Sequence, residues 1–186
     1  MADFPSNLTW DEFLSLPQET RNAALIDGEV VVNSPNAQHE WIVRNLTATF
    51  LNWMWSGANR GDISYQQPVQ IHERRGYQPD FVWYPQELCA PPGQPREFSG
   101  PPHLVVEILS PSTRRFDLVR KRHDYEEVGI AEVWFVSQDQ NDFWVLQCQR
   151  NRPDGPFVER KRWLGELLAS PVLQDFEVPV DALFRL

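Results

Sequence analysis

Three residues have the types and positions that metal-assisted hydrolysis needs: Asp80, Glu107 and Lys121. Asp80 follows Pro79 and opens the apolar run Phe81-Val82-Trp83-Tyr84. Glu107 sits inside Leu104-Val105-Val106-Glu107-Ile108-Leu109. A carboxylate within an apolar strand is costly unless its charge is compensated. Two such carboxylates can hold Mg²⁺, a hard cation that prefers oxygen ligands and keeps several waters. A metal held this way polarises a phosphoryl oxygen and lowers the pKa of bound water. A nearby ammonium orients that water or stabilises the developing negative charge. The chemistry implied is phosphodiester cleavage.

Each residue also has a simpler use. Glu107 could be a buried carboxylate paired with an arginine. Asp80 could be a turn or strand-edge residue. Lys121 could snorkel, or pair with Asp117 at i,i+4. Two further positions are candidates. Glu29 follows the Asp27-Gly28 turn and could complete a metal shell, or be an exposed hairpin residue. His39 stands in the first turn of a long helix, where a surface or capping role is the commoner one. Ser110 and Ser112 read as caps rather than nucleophiles. The chain has no G-x-S-x-G elbow, Gly-rich phosphate loop or G-x-G-x-x-G fingerprint, which argues against hydrolase-fold, P-loop and dinucleotide chemistry.

The elements that must position these residues follow from pattern. Thr9 and Glu12 form a capping box for a short helix ended by Pro17. Asp27-Gly28 between Ala23–Ile26 and Glu29–Val32 signals a hairpin. Ser34-Pro35-Asn36 breaks the chain. Ile42, Leu46, Phe50 and Trp53 then recur at helical spacing between Ala37 and Trp55. Strands are expected at Ile63–Gln67 and Val69–His72, and Arg74-Arg75-Gly76 is expected to turn the chain toward Asp80. Residues 85–102 form a Pro-rich loop. In 104–109, alternation puts Val105, Glu107 and Leu109 on one face. A helix is expected from Arg114 to Val128, with Leu118, Lys121, Tyr125 and Val128 on one stripe facing the sheet. A buried strand should span Ile130–Ser137, and a right-handed crossover should link it to 104–109 if the two are parallel. Phe143–Gln149 and Phe157–Trp163 read as a hairpin, and Val180–Leu186 as a short terminal helix. The sum is an α/β (α+β) fold: one domain over 1–186, with a mixed sheet flanked by helices.

At 186 residues with 41% hydrophobic content, the chain can bury a sizeable core. No apolar run approaches membrane-spanning length. The N-terminus lacks a signal-peptide pattern, and Cys89 and Cys148 are too few for a disulfide framework. A reducing cytoplasm is the expected compartment. The net charge of −9 opposes nonspecific nucleic-acid binding, which rests on neutralising phosphates. Two basic clusters soften this: Arg114, Arg115, Arg120, Lys121 and Arg122, and then Arg160, Lys161 and Arg162.

The residues also carry a resemblance. Its first half is Leu25-Ile26-Asp27-Gly28-Glu29-Val30-Val31, Ser34-Pro35, His39 and Gln78-Pro79-Asp80. Its second half is residues 105–113, Asp117, Lys121, Tyr125, Gly129-Ile130 and Glu132-Val133-Trp134. Together they resemble the Uma-two family, a bacterial group classed with restriction endonucleases of the PD-(D/E)xK nuclease fold. The resemblance implies a central mixed sheet, a Mg²⁺-dependent site and DNA as substrate, and it favours a homodimer. It implies that Asp80 and Glu107 are the metal-binding acids, Lys121 the lysine and Glu29 an upstream acid. The general nuclease motif has its lysine two residues after the second acid, where this chain has Leu109. A lysine on the following helix is similar to this family's own pattern.

The leading expectation is therefore a Mg²⁺-dependent DNA endonuclease. A non-catalytic binding or regulatory protein on the same fold, and a metal-dependent phosphoesterase acting on RNA or a small molecule, remain open.

Overall fold

The computed structural model describes residues 4–16, 23–32, 36–139 and 141–185. The expected roles of Pro17, Ser34 and Pro35 lie outside these. Helix α1 (Trp10–Leu14) starts with the Thr9–Glu12 capping box. Strands β1 (Ala23–Ile26) and β2 (Glu29–Val32) form a hairpin. Asp27 and Gly28 both have positive φ, 52° and 87°, as a two-residue hairpin turn requires. Helix α2 (Ala37–Trp55) is capped by the Asn36 side chain, which accepts the His39 N–H at 2.9 Å. Next come β3 (Asp62–Ser64), β4 (Val69–His72), β5 (Arg75–Tyr77) and β6 (Phe81–Tyr84). Strand β7 (Leu104–Leu109) leads into a helical segment: α3 (Arg114–Phe116), a π-helical turn (Asp117–Lys121) and α4 (Arg122–Glu127). Strands β8 (Glu132–Ser137), β9 (Trp144–Arg150), β10 (Phe157–Trp163), β11 (Leu167–Ala169) and β12 (Glu177–Pro179) follow, then a 3₁₀ turn at Val180–Phe184.

The main sheet has six strands in the order β10-β9-β8-β7-β6-β3. Only the β7–β8 pair is parallel, so the sheet is mixed and the α3–α4 segment is its crossover. A second sheet has the order β2-β1-β5-β4. Each face of the main sheet has its own core. On one, Leu104, Val106 and Ile108 pack with Ile42, Leu46, Phe50 and Trp53 of α2. On the other, Val105 and Leu109 pack with Tyr125 and Ile130. Alternation therefore assigns Glu107 to the face under the α3–α4 crossover. Phe50 is fully buried against Phe81, Trp134 and Phe176, and truncating such a side chain to alanine costs about 3–5 kcal/mol.

Several expectations need correction. Arg75 and Gly76 belong to a strand, not a turn. Gly76 pairs with Leu25, and a Cβ at this position would lie 2.1 Å from the Trp10 ring, so the glycine admits α1 onto the second sheet. The strand expected at Ile63–Gln67 is only Asp62–Ser64, and Gln66 adopts a φ of +50°. The helix expected from Arg114 to Val128 is interrupted by the π turn. The loop at 85–102 contains a 3₁₀ turn at Gln86–Leu88 and an isolated bridge between Cys89 and Phe98. No helix among the described residues is long and apolar enough to cross a membrane.

Candidate active site

Strand register brings the two acids together. β6 and β7 pair as Phe81↔Val106 and Val82↔Val105, so one step further along the ladder sets Asp80 opposite Glu107. Directly opposed residues have Cβ atoms about 4.5–5.5 Å apart. The Asp80 carboxylate replaces the backbone at the end of this ladder: its Oδ2 accepts the Ile108 N–H at 2.8 Å. The Pro79 carbonyl, the neighbouring backbone acceptor, takes the Gln66 N–H at 3.0 Å instead.

Lys121 reaches the pair from the helical segment. Its Nζ lies 2.8 Å from Glu107 Oε2 and 3.1 Å from Asp117 Oδ1. The π turn accounts for this reach. The Arg122 N–H bonds to the Asp117 carbonyl, five residues back, and the widened turn buries both Asp117 and Lys121. Such turns are frequent at functional sites. Tyr125, one helical turn on, donates its hydroxyl to Glu107 Oε1 at 2.6 Å. His39 approaches from α2, with Nε2 3.0 Å from Asp80 Oδ1.

His39, Asp80, Glu107, Asp117 and Lys121 line a cavity of about 190 Å³ with Gln78, Ser110 and Gln138. The cavity has room for a hydrated ion and a phosphoryl group. Three carboxylates (Asp80, Glu107 and Asp117) face one ammonium and one imidazole. Burial pushes the Glu107 carboxyl up to about 7; Lys121 restrains that rise and the charges of Asp80 and Asp117 add to it. Burial opposes the charge on Lys121, but Glu107 and Asp117 outweigh it and raise its pKa. His39 behaves alike: burial lowers its pKa, its hydrogen bond and charge interaction with Asp80 raise it, and the net shift is upward.

Asp80 and Glu107 fit a hard divalent cation. The lining is rich in oxygen donors, and the buried Gln138 Oε1 has no hydrogen-bond partner. Among the described residues no three His, Cys, Asp or Glu side chains are grouped as a metal cage, so water would complete the shell. This suits Mg²⁺, which keeps several waters and takes only one or two carboxylates.

The structure thus brings Asp80, Glu107 and Lys121 into one cavity, but not Glu29. That residue is exposed on β2, an edge strand of the second sheet, and does not line the cavity. Asp117 and Tyr125 join the site beyond the expected set. Both carried a signal: Asp117 is four residues before Lys121, and Tyr125 shares its stripe. His39, expected at the surface or as a cap, instead faces Asp80 across the fold.

Comparison with known proteins identifies the fold and the family. A crystal structure from Anabaena variabilis ATCC 29413, described as "a putative nuclease belonging to DUF820", superposes with a TM-score of 0.74 at 18% identity, covering 95% of this chain and 97% of that one. At that identity the likeness establishes the fold alone, a mixed α/β architecture. No curated protein matches the chain. The Uma2 (Uma-two) family, described as "Putative restriction endonuclease", matches residues 10–181. The chain belongs to the Uma2 family.

Proposed function

We propose that this protein is a Mg²⁺-dependent endonuclease that hydrolyses phosphodiester bonds of DNA, with Asp80 and Glu107 holding the ion and Lys121 beside them. The observation that carries the reading is the contact of Lys121 Nζ with Glu107 Oε2 at 2.8 Å, inside a cavity that Asp80 also lines. When bound, the ion would polarise the phosphate and supply an activated water.

The protein's own groups have distinct tasks. Tyr125 and Lys121 each hold one oxygen of Glu107, and Ile108 N–H and His39 each hold one of Asp80. Those contacts fix both carboxylates before a ligand arrives, as metal sites require of the groups around their ligands. Glu107 and Asp117 keep Lys121 protonated. It therefore acts as a cation near the phosphoryl oxygens, not as a base. The reading takes the working unit to be a homodimer in the cytoplasm; light scattering on the purified chain reports the first directly.

The test is cleavage of plasmid and linear DNA with and without Mg²⁺ by the wild type, Asp80→Ala and Glu107→Ala. The reading expects cation-dependent cleavage by the wild type and none by either variant, with circular dichroism unchanged. Substantial cleavage by both variants would overturn it.

A further inference from the structure

A second cavity, of about 460 Å³, adjoins the first and shares Ser110, Pro111 and Gln138 with it. Arg114 lines the second cavity. Its guanidinium carbon lies 5.2 Å from the centre of the Trp144 ring. Lys161 Nζ lies 4.2 Å from the same ring and 4.0 Å from the ring of Trp163. A line of cations and indoles therefore leads from the candidate active site to the edge of the main sheet.

Strand register explains the alignment. Leu109 pairs with Ser137, Val136 with Val145, and Trp144 with Trp163. The ends of β7, β8, β9 and β10 thus meet at the end of the sheet where the active-site cavity opens. Three strand spacings of about 4.8 Å set β10 roughly 14 Å from β7. Lys161 and Trp163 alternate onto the face of β10 that carries Glu159, which takes a hydrogen bond from Arg122 of α4. This is also the face of Glu107.

The charges along this line lack partners. Arg75, Arg96, Arg120, Lys121 and Arg122 each pair with a carboxylate, but among the described residues Arg114 and Lys161 pair with none. Three acids stand near this line, but none forms an ion pair with Arg114 or Lys161: Asp142 Oδ2 accepts the Trp144 indole N–H at 3.0 Å, Glu166 Oε2 accepts the Trp163 amide at 2.6 Å, and Asp139 lines the second cavity. Two uncompensated cations at one aromatic ring, in a chain of net charge −9, form a local site for anions. Strand addition by a second copy is a poor alternative, because lysine on an edge strand discourages it. Trp163 is 44% exposed and stands at the outer end of the line. Aromatic platforms beside cations suit an unpaired strand, whose bases can stack.

We propose that Arg114, Lys161 and Trp163 form a track for an unpaired polynucleotide strand leaving the active site, the two cations meeting its phosphates and Trp163 stacking on a base. The track rests on the nuclease reading and adds to it a preference for single-stranded or frayed substrate. The test measures binding of a fluorescent single-stranded oligonucleotide and a blunt duplex of equal length over a salt series. The wild type, Lys161→Ala, Lys161→Arg and Trp163→Ala are compared as full chains. Turnover of bis(p-nitrophenyl) phosphate, which is too small to reach the track, is measured in parallel. Both substituted side chains are exposed, so the fold should survive.

The expected result is tighter binding of the single strand than of the duplex. Lys161→Ala should reduce the salt slope by about 0.7, the value for one phosphate contact on a single strand, and Lys161→Arg should restore it. Trp163→Ala should weaken single-strand binding roughly tenfold. Turnover of the small diester should be unchanged. Equal binding of both substrates, or wild-type affinity and salt slope in the alanine variants, would overturn the track while leaving the nuclease reading intact. Absence of wild-type turnover on both the small diester and DNA would instead remove the nuclease reading.

Discussion

Two glutamates are buried on adjacent strands of the same sheet, and only one has the surroundings of a reactive group. Glu132 of β8 is fully buried. Its Oε1 accepts from Trp134 Nε1 at 2.5 Å, Gln149 Nε2 at 2.9 Å and Gln147 Nε2 at 3.1 Å, and its Oε2 accepts from Ser170 Oγ at 2.5 Å. All four donors are neutral, and neither cavity touches this residue. Glu107 of β7 is 3% exposed, but it meets a lysine, a tyrosine and an opposing aspartate at a cavity wall. Burial raises both carboxyls. A buried carboxylate is therefore not a site by itself. A closed shell of neutral donors makes Glu132 a structural fixture, whereas an opening, a cation and a second acid give Glu107 the surroundings that the proposed chemistry requires.

The two glutamates should differ most in activity. Glu107→Gln should lower DNA cleavage by at least about 100-fold while the melting temperature stays near that of the wild type. Comparable cleavage by this variant would erase the distinction. Glu132→Ala should do the reverse. It strands several buried donors, each costing about 1–3 kcal/mol. A total loss of about 3 kcal/mol would lower the melting temperature by roughly 10 °C. Activity per folded molecule should stay within about threefold of the wild type, as for independent sites. A stable but inactive Glu132→Ala would assign that residue to the chemistry instead.

The pH dependence is a subtler effect. The folded state holds the Glu107 proton more tightly than the unfolded chain, raising its pKa from 4.5 to about 7. In metal-free protein the stability from this group is present below 4.5 and is lost as pH rises through about 7. Metal affinity should move the opposite way, weakening as pH falls through about 7, because the ligand must be deprotonated. Denaturation and calorimetry between pH 5 and 8 read both trends; a flat metal affinity over that range would contradict the assignment. The smallest effect is expected from Tyr125→Phe, which removes one donor to Glu107 and should cost about 1–2 kcal/mol. Denaturant titration checks it, and Glu107→Gln combined with Tyr125→Phe should show non-additivity.

Much of the site was legible because its signals are local. Glu107 stood out as a charge in an apolar strand, and helical spacing turned Lys121 inward. The long helix could be read from Ile42, Leu46, Phe50 and Trp53. The parts that escaped depend on distant packing. His39 meets Asp80 only because α2 crosses the sheet near the start of β6. Asp80 faces Glu107 through strand register, which neither segment encodes alone. The π turn changes which residues share a face, so Asp117 read as a simple partner of Lys121 when it also faces the cavity. Glu29 was misleading for a related reason. It follows a well-marked hairpin turn, but that hairpin joins the second sheet, away from the cavity.

In the proposed site Asp80 and Glu107 together hold a divalent cation. Isothermal titration of Mg²⁺ into the wild type, Asp80→Ala and Glu107→Ala at pH 8 measures this binding. The wild type should give a binding isotherm that is lost in each variant while both remain folded. Wild-type affinity in both variants would contradict it.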